Sequence, residues 1–209
     1  MTDKRHISPT TLKRLPRYLA VSKALAAEGW EYITSGDLAR ACDMQEILVR
    51  KDVLQTGVAG HKSHGYPVGE MISILTSVLG WDRPYRAVMI GSGHLAQTLM
   101  DFPVFVNQGV TFAFVADSDP ARVGAEICGK PILPLVEAEK SIREEEIRLA
   151  VLAVSPEQAQ PVADRLIAAG ITAIMNFTPM TVIAPEGVTV SDADFTPSLA
   201  ELTHSLSHA

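Results

Sequence analysis

The chain has 209 residues, 47% of them hydrophobic and 20% charged, which suits one large or two small globular domains with a substantial core. Its polar start contains no apolar segment of signal-peptide length and no later stretch approaches a membrane span, so a cytoplasmic location and no membrane partner are expected. Only Cys42 and Cys128 occur, and neither they nor the six histidines have metal-ligand spacing; no disulfide and no metal are assigned, and both thiols are expected to be buried or half-buried. The net charge of −6 divides unevenly, with ten Lys or Arg against eight Asp or Glu in residues 1–80 and eight against sixteen beyond. That asymmetry suggests two modules and leaves the first as the candidate nucleic-acid face, with a weak electrostatic footprint.

Ser8 followed by Pro9 reads as an N-cap with proline in the first turn, opening a long helix whose apolar stripe is Leu12, Leu15, Leu19, Leu25 and Ala26, ending near Gly29. Pro16 must bend this helix or delay its start. Thr34 or Ser35 can cap a short helix through Leu38, Ala39 and Ala41, and after a turn at Asp43 another fits Gln45 to Leu54. Two short helices joined by a tight turn suggest helix-turn-helix, with Ile47, Leu48 and Leu54 inward and Arg50 and Lys51 outward. The glycine-rich segment from Gly57 to Val68, holding His61, Lys62 and His64, suits a β wing. Winged helix and small helical dimerisation module both fit this pattern. A helix from Val68 to Leu79 closes the module, and Gly80 to Pro84 is the linker.

The following stretch, from Val88 to Asp119, reads as strand, glycine turn, helix, strand, acidic residue. Gly91 allows a tight turn, Gly93 lets backbone approach a pyrophosphate, and Ala96 takes the third small position, where the helix packs on the sheet. The anion would lie over free amides at the start of the helix from His94 to Met100. Asp117 ends the second strand at the spacing of an acid that binds ribose hydroxyls, favouring a ribose without a 2'-phosphate. An ordinary strand-to-helix turn in a ligand-free domain is the alternative. Further strand-like runs at Leu149 to Val154 and Ile171 to Met175, separated by helical stretches such as Glu157 to Ala169, argue for a parallel sheet covered on both faces. Val188 to Val190 adds an edge strand. The tail after Pro197 is amphipathic through Leu199, Leu202 and Leu206, and docks either on its own domain or on a second subunit.

The segments ISPTTLKRLPRYL, VRKD, G-x-x-G-x-x-x-x-G-Y from Gly57 to Tyr66, GSGHLA, ADSDP, AVSPEQAQPVADRL and AIMNFTP, in this order, resemble the redox-sensing repressor family called Rex over nearly the whole chain. The resemblance implies an α/β protein: a winged-helix DNA-binding domain over residues 1–80, a Rossmann-like doubly wound parallel-sheet NAD(H)-binding domain over 85–192, and a swapped dimerisation helix over 193–209. It further implies a homodimeric repressor, not an enzyme, that binds operator DNA when NADH is low and releases it when NADH rotates the subunits. The nucleotide would contact Gly91, Ser92, Gly93, His94 and Leu95, with Asp117 on the adenine-side ribose. Ser155, Pro156, Asn176, Phe177 and Thr178 would lie at the carboxyl ends of strands near the nicotinamide, approached by Phe195 of the swapped helix. From residue type alone, Ser155 and Asn176 are equally loop hydrogen-bonders and Phe195 a core anchor. Lys13, Arg14, Arg50, Lys51 and Lys62 would meet DNA, chiefly at phosphates.

Departures from the family pattern cluster in the DNA-reading and coupling regions. Leu54, Gln55 and Thr56 replace a Ser-Tyr-Phe run, and His61, Lys62 and Ser63 replace a cation pair in the wing, implying weaker and more pH-dependent phosphate attraction. Ala20 and Phe102 stand where family members carry an Arg and a Tyr that engage the Asp of the swapped helix, so Asp194 needs another partner, for which Arg17 is the candidate. His94 is also unusual in the glycine turn. Two competing readings are a small NAD-dependent oxidoreductase, for which no Lys, Tyr or His is positioned by a motif, and a divergent nucleotide-binding paralogue acting through a protein partner.

Overall fold

The structure, a computed structural model, describes residues 7–61 and 63–207, and divides into two compact units at Arg83/Pro84. In the N-terminal unit, helix α1 spans Pro9–Ala27 and is capped as its sequence dictates, with Ser8 Oγ accepting the Thr11 N–H at 3.1 Å. It starts at Pro9 despite Pro16, so the proline does not delay it. The inward face is Thr11, Leu15, Tyr18, Leu19 and Ser22, whereas Leu12 and Ala26 are exposed. Leu15 and Leu19 of the expected stripe are buried, and the remaining buried positions are taken by hydroxyl-bearing side chains with internal partners, Thr11, Tyr18 and Ser22.

Strand β1 (Tyr32–Ile33) leads into α2 (Ser35–Cys42), whose N-cap Thr34 forms a capping box with Asp37. Asp43 turns the chain in a left-handed conformation, φ 50°, into α3 (Glu46–Thr56). Val49, Asp52, Val53 and Thr56 are its buried residues, while Ile47 and Leu54 are 62% and 77% exposed. The expected inward face is therefore corrected: it is turned by about two residues, because the neighbouring Arg14 makes burial of Asp52 acceptable. Arg50 and Lys51 do face outward.

The segment after α3 folds back through a His61–Gly65 bridge into β2 (Tyr66–Pro67), antiparallel to β1, and then into α4 (Val68–Val78). Gly65 is required by its backbone: φ is +86° and a Cβ there would meet the Ile33 carbonyl oxygen at 2.6 Å. Lys62, expected in this wing, lies outside the described residues. One core joins the four helices and the wing, through Leu15, Tyr18, Ile33, Leu38, Val53 and Leu75 among others.

The second unit is built on a seven-stranded sheet. Its elements in chain order are β3 (Tyr85–Ile90), α5 (His94–Met100), α6 (Pro103–Asn107), β4 (Val110–Asp117), β5 (Glu126–Ile127), β6 (Lys130–Pro134), α7 (Leu135–Glu144), β7 (Leu149–Leu152), α8 (Pro156–Ala169), β8 (Ala173–Asn176), β9 (Thr189–Asp192) and α9 (Thr196–Ser207). Strand order is β5-β6-β4-β3-β7-β8-β9, all neighbours parallel except the β5–β6 hairpin. The chain winds outward from β3 in one direction and then from β7 in the other, the arrangement of doubly wound dinucleotide-binding sheets. Alternation along β3 serves both faces: Val88 and Ile90 join the core under α7 and α8, and Ala87 and Met89 the core under α5.

Helix α9 has no buried residue; Phe195, Leu199, Leu202 and Leu206 are 75%, 60%, 63% and 78% exposed. Cys42 is buried, but Cys128 is exposed in the β5–β6 turn, which corrects the expectation of two shielded thiols. Among the described residues no helix is long and apolar enough to cross a membrane, and no three His, Cys, Asp or Glu side chains are grouped to hold a metal.

Candidate nucleotide site and nucleic-acid interface

The winding direction reverses between β3 and β7, and in such sheets the crevice at the carboxyl ends of those two strands receives the ligand. Here Gly91 follows β3 and Ala153 to Ser155 follow β7. Gly91 has φ +97°, donates to the Ala116 carbonyl at 2.8 Å, and a Cβ on it would lie 2.2 Å from the Ala153 oxygen. No other residue fits. Gly93 differs: its φ of −74° suits any residue, and the nearest atom to a Cβ there would be Arg122 Nη1 at 3.8 Å. What Gly93 contributes is open space over the turn, the room a diphosphate backbone needs. Ala96 is fully buried against the sheet, as the motif requires.

Asp117, at the end of β4, lies across the turn. Its Oδ2 accepts from the Ser92 N–H at 2.8 Å and from Ser92 Oγ, and its Oδ1 accepts the Asp119 N–H at 2.9 Å. Burial raises the Asp117 carboxyl, but these bonds, with the nearby Arg122 charge, outweigh it and hold the group below the ordinary carboxylate range. The resulting fixed anion sits at the edge of a crevice of about 270 Å³ lined by Gly91, Ser92, Gly93, Asp117, Ser155 and Gln158, among others. Beyond Asp117 a second cavity of about 350 Å³ is walled by Pro120, Val123, Pro134, Leu135 and Val136. Toward the other side, a cavity of about 580 Å³ is lined by Leu95, Phe177, Thr178, Met180, Phe195 and Leu199, among others. The chain thus presents three spaces: a largely apolar slot, a polar turn with a fixed carboxylate, and a larger chamber of mixed lining, in which Leu95, Phe177, Phe195 and Leu199 stand with Asp192 and Asp194.

Several of the expected contact residues have places of their own in the fold. Asn176 is fully buried and its amide is spent internally: Nδ2 donates to the Met180 carbonyl and to Asp192 Oδ1, each at 2.7 Å, and Oδ1 accepts from Thr178 N and Oγ1. These bonds fix the turn that carries Phe177 and Thr178, the loop hydrogen-bonding role that its residue type left open. Pro156 supplies the first residue of α8 and His94 that of α5; both are exposed, and neither lines the three cavities. Asp194 interacts with the Thr196 side chain and accepts the Thr196 N–H at 2.8 Å at the start of α9; these two contacts, the side-chain one foremost, hold its carboxyl below the ordinary range. Phe102, N-terminal to α6, is 55% exposed. Sequence reasoning missed Arg122 beside Gly93, although its place in ADSDPAR, directly after the acid-ended strand, was a usable signal.

In the N-terminal unit, Lys13, Arg50 and Lys51 are exposed. Arg50 is paired with Glu46 at 2.5 Å across one turn of α3. Arg14 is mostly buried and bound inward: Nε and Nη2 each donate to the Asp52 carboxylate at 2.7 Å. The same carboxylate accepts from Tyr18 Oη at 2.8 Å and Thr11 Oγ1 at 2.9 Å. Burial pushes Asp52 up, but the Arg14, Tyr18 and Thr11 bonds prevail and its carboxyl is lowered; Arg14 is correspondingly raised by Asp52, and Tyr18 is raised by burial and then by Asp52. Asp52 therefore ties α3 to α1 through three side chains.

A helix-turn-helix with a β wing, ahead of a doubly wound nucleotide-type domain, defines the class of a ligand-responsive DNA-binding regulator. Residues 6–53 match the family model described as putative DNA-binding protein N-terminus, and residues 82–180 match the CoA binding domain. The redox-sensing transcriptional repressor Rex of Treponema denticola is 34% identical over 202 residues, 97% of this chain and 96% of that protein; the Rex of Desulforamulus reducens is 32% identical over 96% and 95%. Among solved structures, RSP, a Rex-family repressor, aligns with TM-score 0.89 at 28% identity, covering 98% of this chain and 96% of RSP. RSP in complex with β-NAD+ and operator DNA aligns with TM-score 0.91 at 29% identity over 98% and 94%. The chain belongs to the Rex family of redox-sensing transcriptional repressors.

Proposed function

We propose that this chain is an NADH/NAD+-responsive repressor that binds operator DNA as a homodimer and is released by NADH, carrying out no chemistry on the nucleotide. The observation that carries the reading is the set of three spaces centred on Gly91 and Asp117 at the sheet's switch point, in a Rex-family chain. On this reading the pyrophosphate lies over Gly91, Ser92 and Gly93, where Gly93 leaves room and Gly91 admits no side chain. Asp117 accepts from the adenine-side ribose hydroxyls, and the apolar slot takes the adenine. The nicotinamide enters the chamber of Leu95, Phe177, Thr178 and Phe195, with Ser155 at the crevice between. NAD(H) supplies the redox-dependent ring; the protein's residues only bind and orient it.

Residues 1–80 form the DNA-binding domain on this reading, residues 85–192 the nucleotide domain, and residues 193–209 the element that crosses to a second subunit. Lys13, Arg50, Lys51 and Lys62 are the proposed phosphate contacts. The support for the crossing is that α9 exposes its whole apolar stripe within its own unit. Mobility shift with the protein's own promoter, with NADH and NAD+ added separately, is the test. Release by NADH at concentrations where NAD+ leaves the complex intact is expected. Failure to bind DNA under every nucleotide condition would overturn the reading, as would turnover of NADH with a carbonyl substrate.

A further inference from the structure

Two residues of opposite consequence stand side by side at the ribose corner of the crevice. Asp117 is the acid that receives a free ribose diol. Arg122 reaches over from the loop after β4, with Nη1 3.4 Å from Ser92 Oγ and 3.9 Å from Asp117 Oδ2, and Nε 3.4 Å from Asp119 Oδ2. Its guanidinium is also the group nearest the open face of Gly93, and its side chain is half exposed. In doubly wound nucleotide sites, an acid at this strand end selects the unphosphorylated ribose, and an arginine near it is what accommodates a 2'-phosphate. This chain carries both. Ser92 and Ser118 add hydroxyls at the same corner, and Gln158 Nε2 donates to Ser118 Oγ at 3.2 Å.

Electrostatics decides which of the two governs the unaltered site. A 2'-phosphomonoester brings close to two negative charges to a corner already holding Asp117 and Asp119 against one guanidinium. The existing charges sum to minus one, and Asp117 is held ionised by Ser92. Arg122 is meanwhile engaged by both carboxylates, so a phosphate must compete for it. Neutralising Asp117 brings that sum to zero: Arg122 loses one competing anion and faces the 2' position beside neutral donors.

We propose that Arg122 is a latent 2'-phosphate anchor masked by Asp117, so that the pair, and not the carboxylate alone, sets the choice between NAD(H) and NADP(H). The proposal rests on the nucleotide reading above. Its test is titration of NADH and NADPH by calorimetry onto the full-length chain, as wild type, Asp117→Asn, Asp117→Asn/Arg122→Gln and Asp117→Asn/Arg122→Lys. Wild type binds NADH and disfavours NADPH. In Asp117→Asn the NADPH-to-NADH affinity ratio rises about tenfold or more, equivalent to one lost charge contact at about 1.4 kcal/mol. Adding Arg122→Gln removes that gain, and Arg122→Lys keeps part of it. A ratio unchanged in Asp117→Asn, or a gain that survives Arg122→Gln, would overturn the proposal while leaving the nucleotide reading intact. Wild type that binds neither nucleotide would overturn both. Asp117→Ser is the substitute should the asparagine variant fail to fold, with the same expectations.

Discussion

Replacing Asp52 by Asn tests whether a single carboxylate positions helix α3. The wild-type group is nearly inaccessible, with 2% of its side chain exposed, and receives four hydrogen bonds, two from Arg14, one from Tyr18 and one from Thr11. Asparagine retains one oxygen and the same shape, but its NH₂ confronts donors where an oxygen had accepted. Removing one partner of a buried ion pair typically costs about 3–5 kcal/mol. Arg14 keeps 22% of its side chain exposed and regains some water, which places the expected loss near the lower end, about 3 kcal/mol. Both tryptophans, Trp30 and Trp81, lie in the N-terminal unit, so their fluorescence during urea unfolding reports that unit selectively. With a slope of about 1–3 kcal/mol per molar urea, the midpoint falls by roughly 1–3 M.

The pH dependence supplies an independent check. Asp52 is lowered in the folded state, so its contribution is fully present above the ordinary aspartate range and is lost as pH falls through the lowered value. The difference between wild type and Asp52→Asn is therefore constant from neutral pH down to about 5 and narrows below about 4. A midpoint within about 0.3 M of wild type, or a difference unchanged at acid pH, would refute the account of Asp52 as the group joining α3 to α1.

Gly91→Ala is expected to destabilise the C-terminal unit by about 3 kcal/mol or more, because it combines left-handed strain with overlap at the Ala153 oxygen. Far-UV circular dichroism should show a fall in Tm of about 10 °C, and an unchanged Tm would mean that β3 and β7 can separate at this point. Leu199→Asp/Leu202→Asp is expected to dissociate the proposed dimer; four leucines per dimer at about 1.5–3 kcal/mol each imply at least a 10⁴-fold weaker assembly, read by light scattering after gel filtration. A dimer that persists would place the interface elsewhere. Arg50→Ala/Lys51→Ala should lower operator and non-operator affinity together and reduce the salt-dependence slope by about one per lost phosphate contact. Loss of operator preference at an unchanged slope would instead assign these side chains to base reading.

What could be read in advance depended on whether an element's role is set locally. Helix α5 begins and ends at the expected residues because Gly93 and Pro103 bound it on either side. Asp117 falls at the end of its strand for the same reason: strand length and spacing are short-range properties. The inward face of α3 was misjudged because two apolar stripes are available on that helix, Ile47 with Leu54 and Val49 with Val53. Choosing between them requires Arg14, 38 residues away, to neutralise Asp52. Asn176 behaves likewise, since its engagement with Asp192 depends on the pairing of β8 with β9. Helix α7 gives a weak signal although Leu135, Ala138 and Ile142 have helical spacing, because charged residues on its outer face and the short β5–β6 hairpin before it obscure the period.

The distribution of polarity among the three spaces bears on how an oxidation state could be sensed. Everything near Gly91 and Asp117 would meet parts of the dinucleotide that the two redox states share, so those residues contribute affinity without discrimination. Only the chamber of Leu95, Phe177, Asp192, Asp194, Phe195 and Leu199 would meet the ring, which is cationic when oxidised and neutral when reduced. The aromatic and aliphatic part of the lining favours the neutral form, since an unpaired charge there loses its hydration, whereas the Asp192 and Asp194 carboxylates in the same lining favour the cation, so the balance between them sets the preference. Phe195 and Leu199 belong both to that lining and to the exposed stripe of the C-terminal helix. On the proposed reading, filling the chamber and seating the helix on a second subunit therefore draw on the same side chains, and each must alter the other by an equal free energy. To move a population from 1:99 to 99:1 the ligand must favour one dimer form by about 5.5 kcal/mol. Two such chambers per dimer, each needing to supply about half of that through buried aromatic and aliphatic surface, bring the requirement within the range of a few side chains.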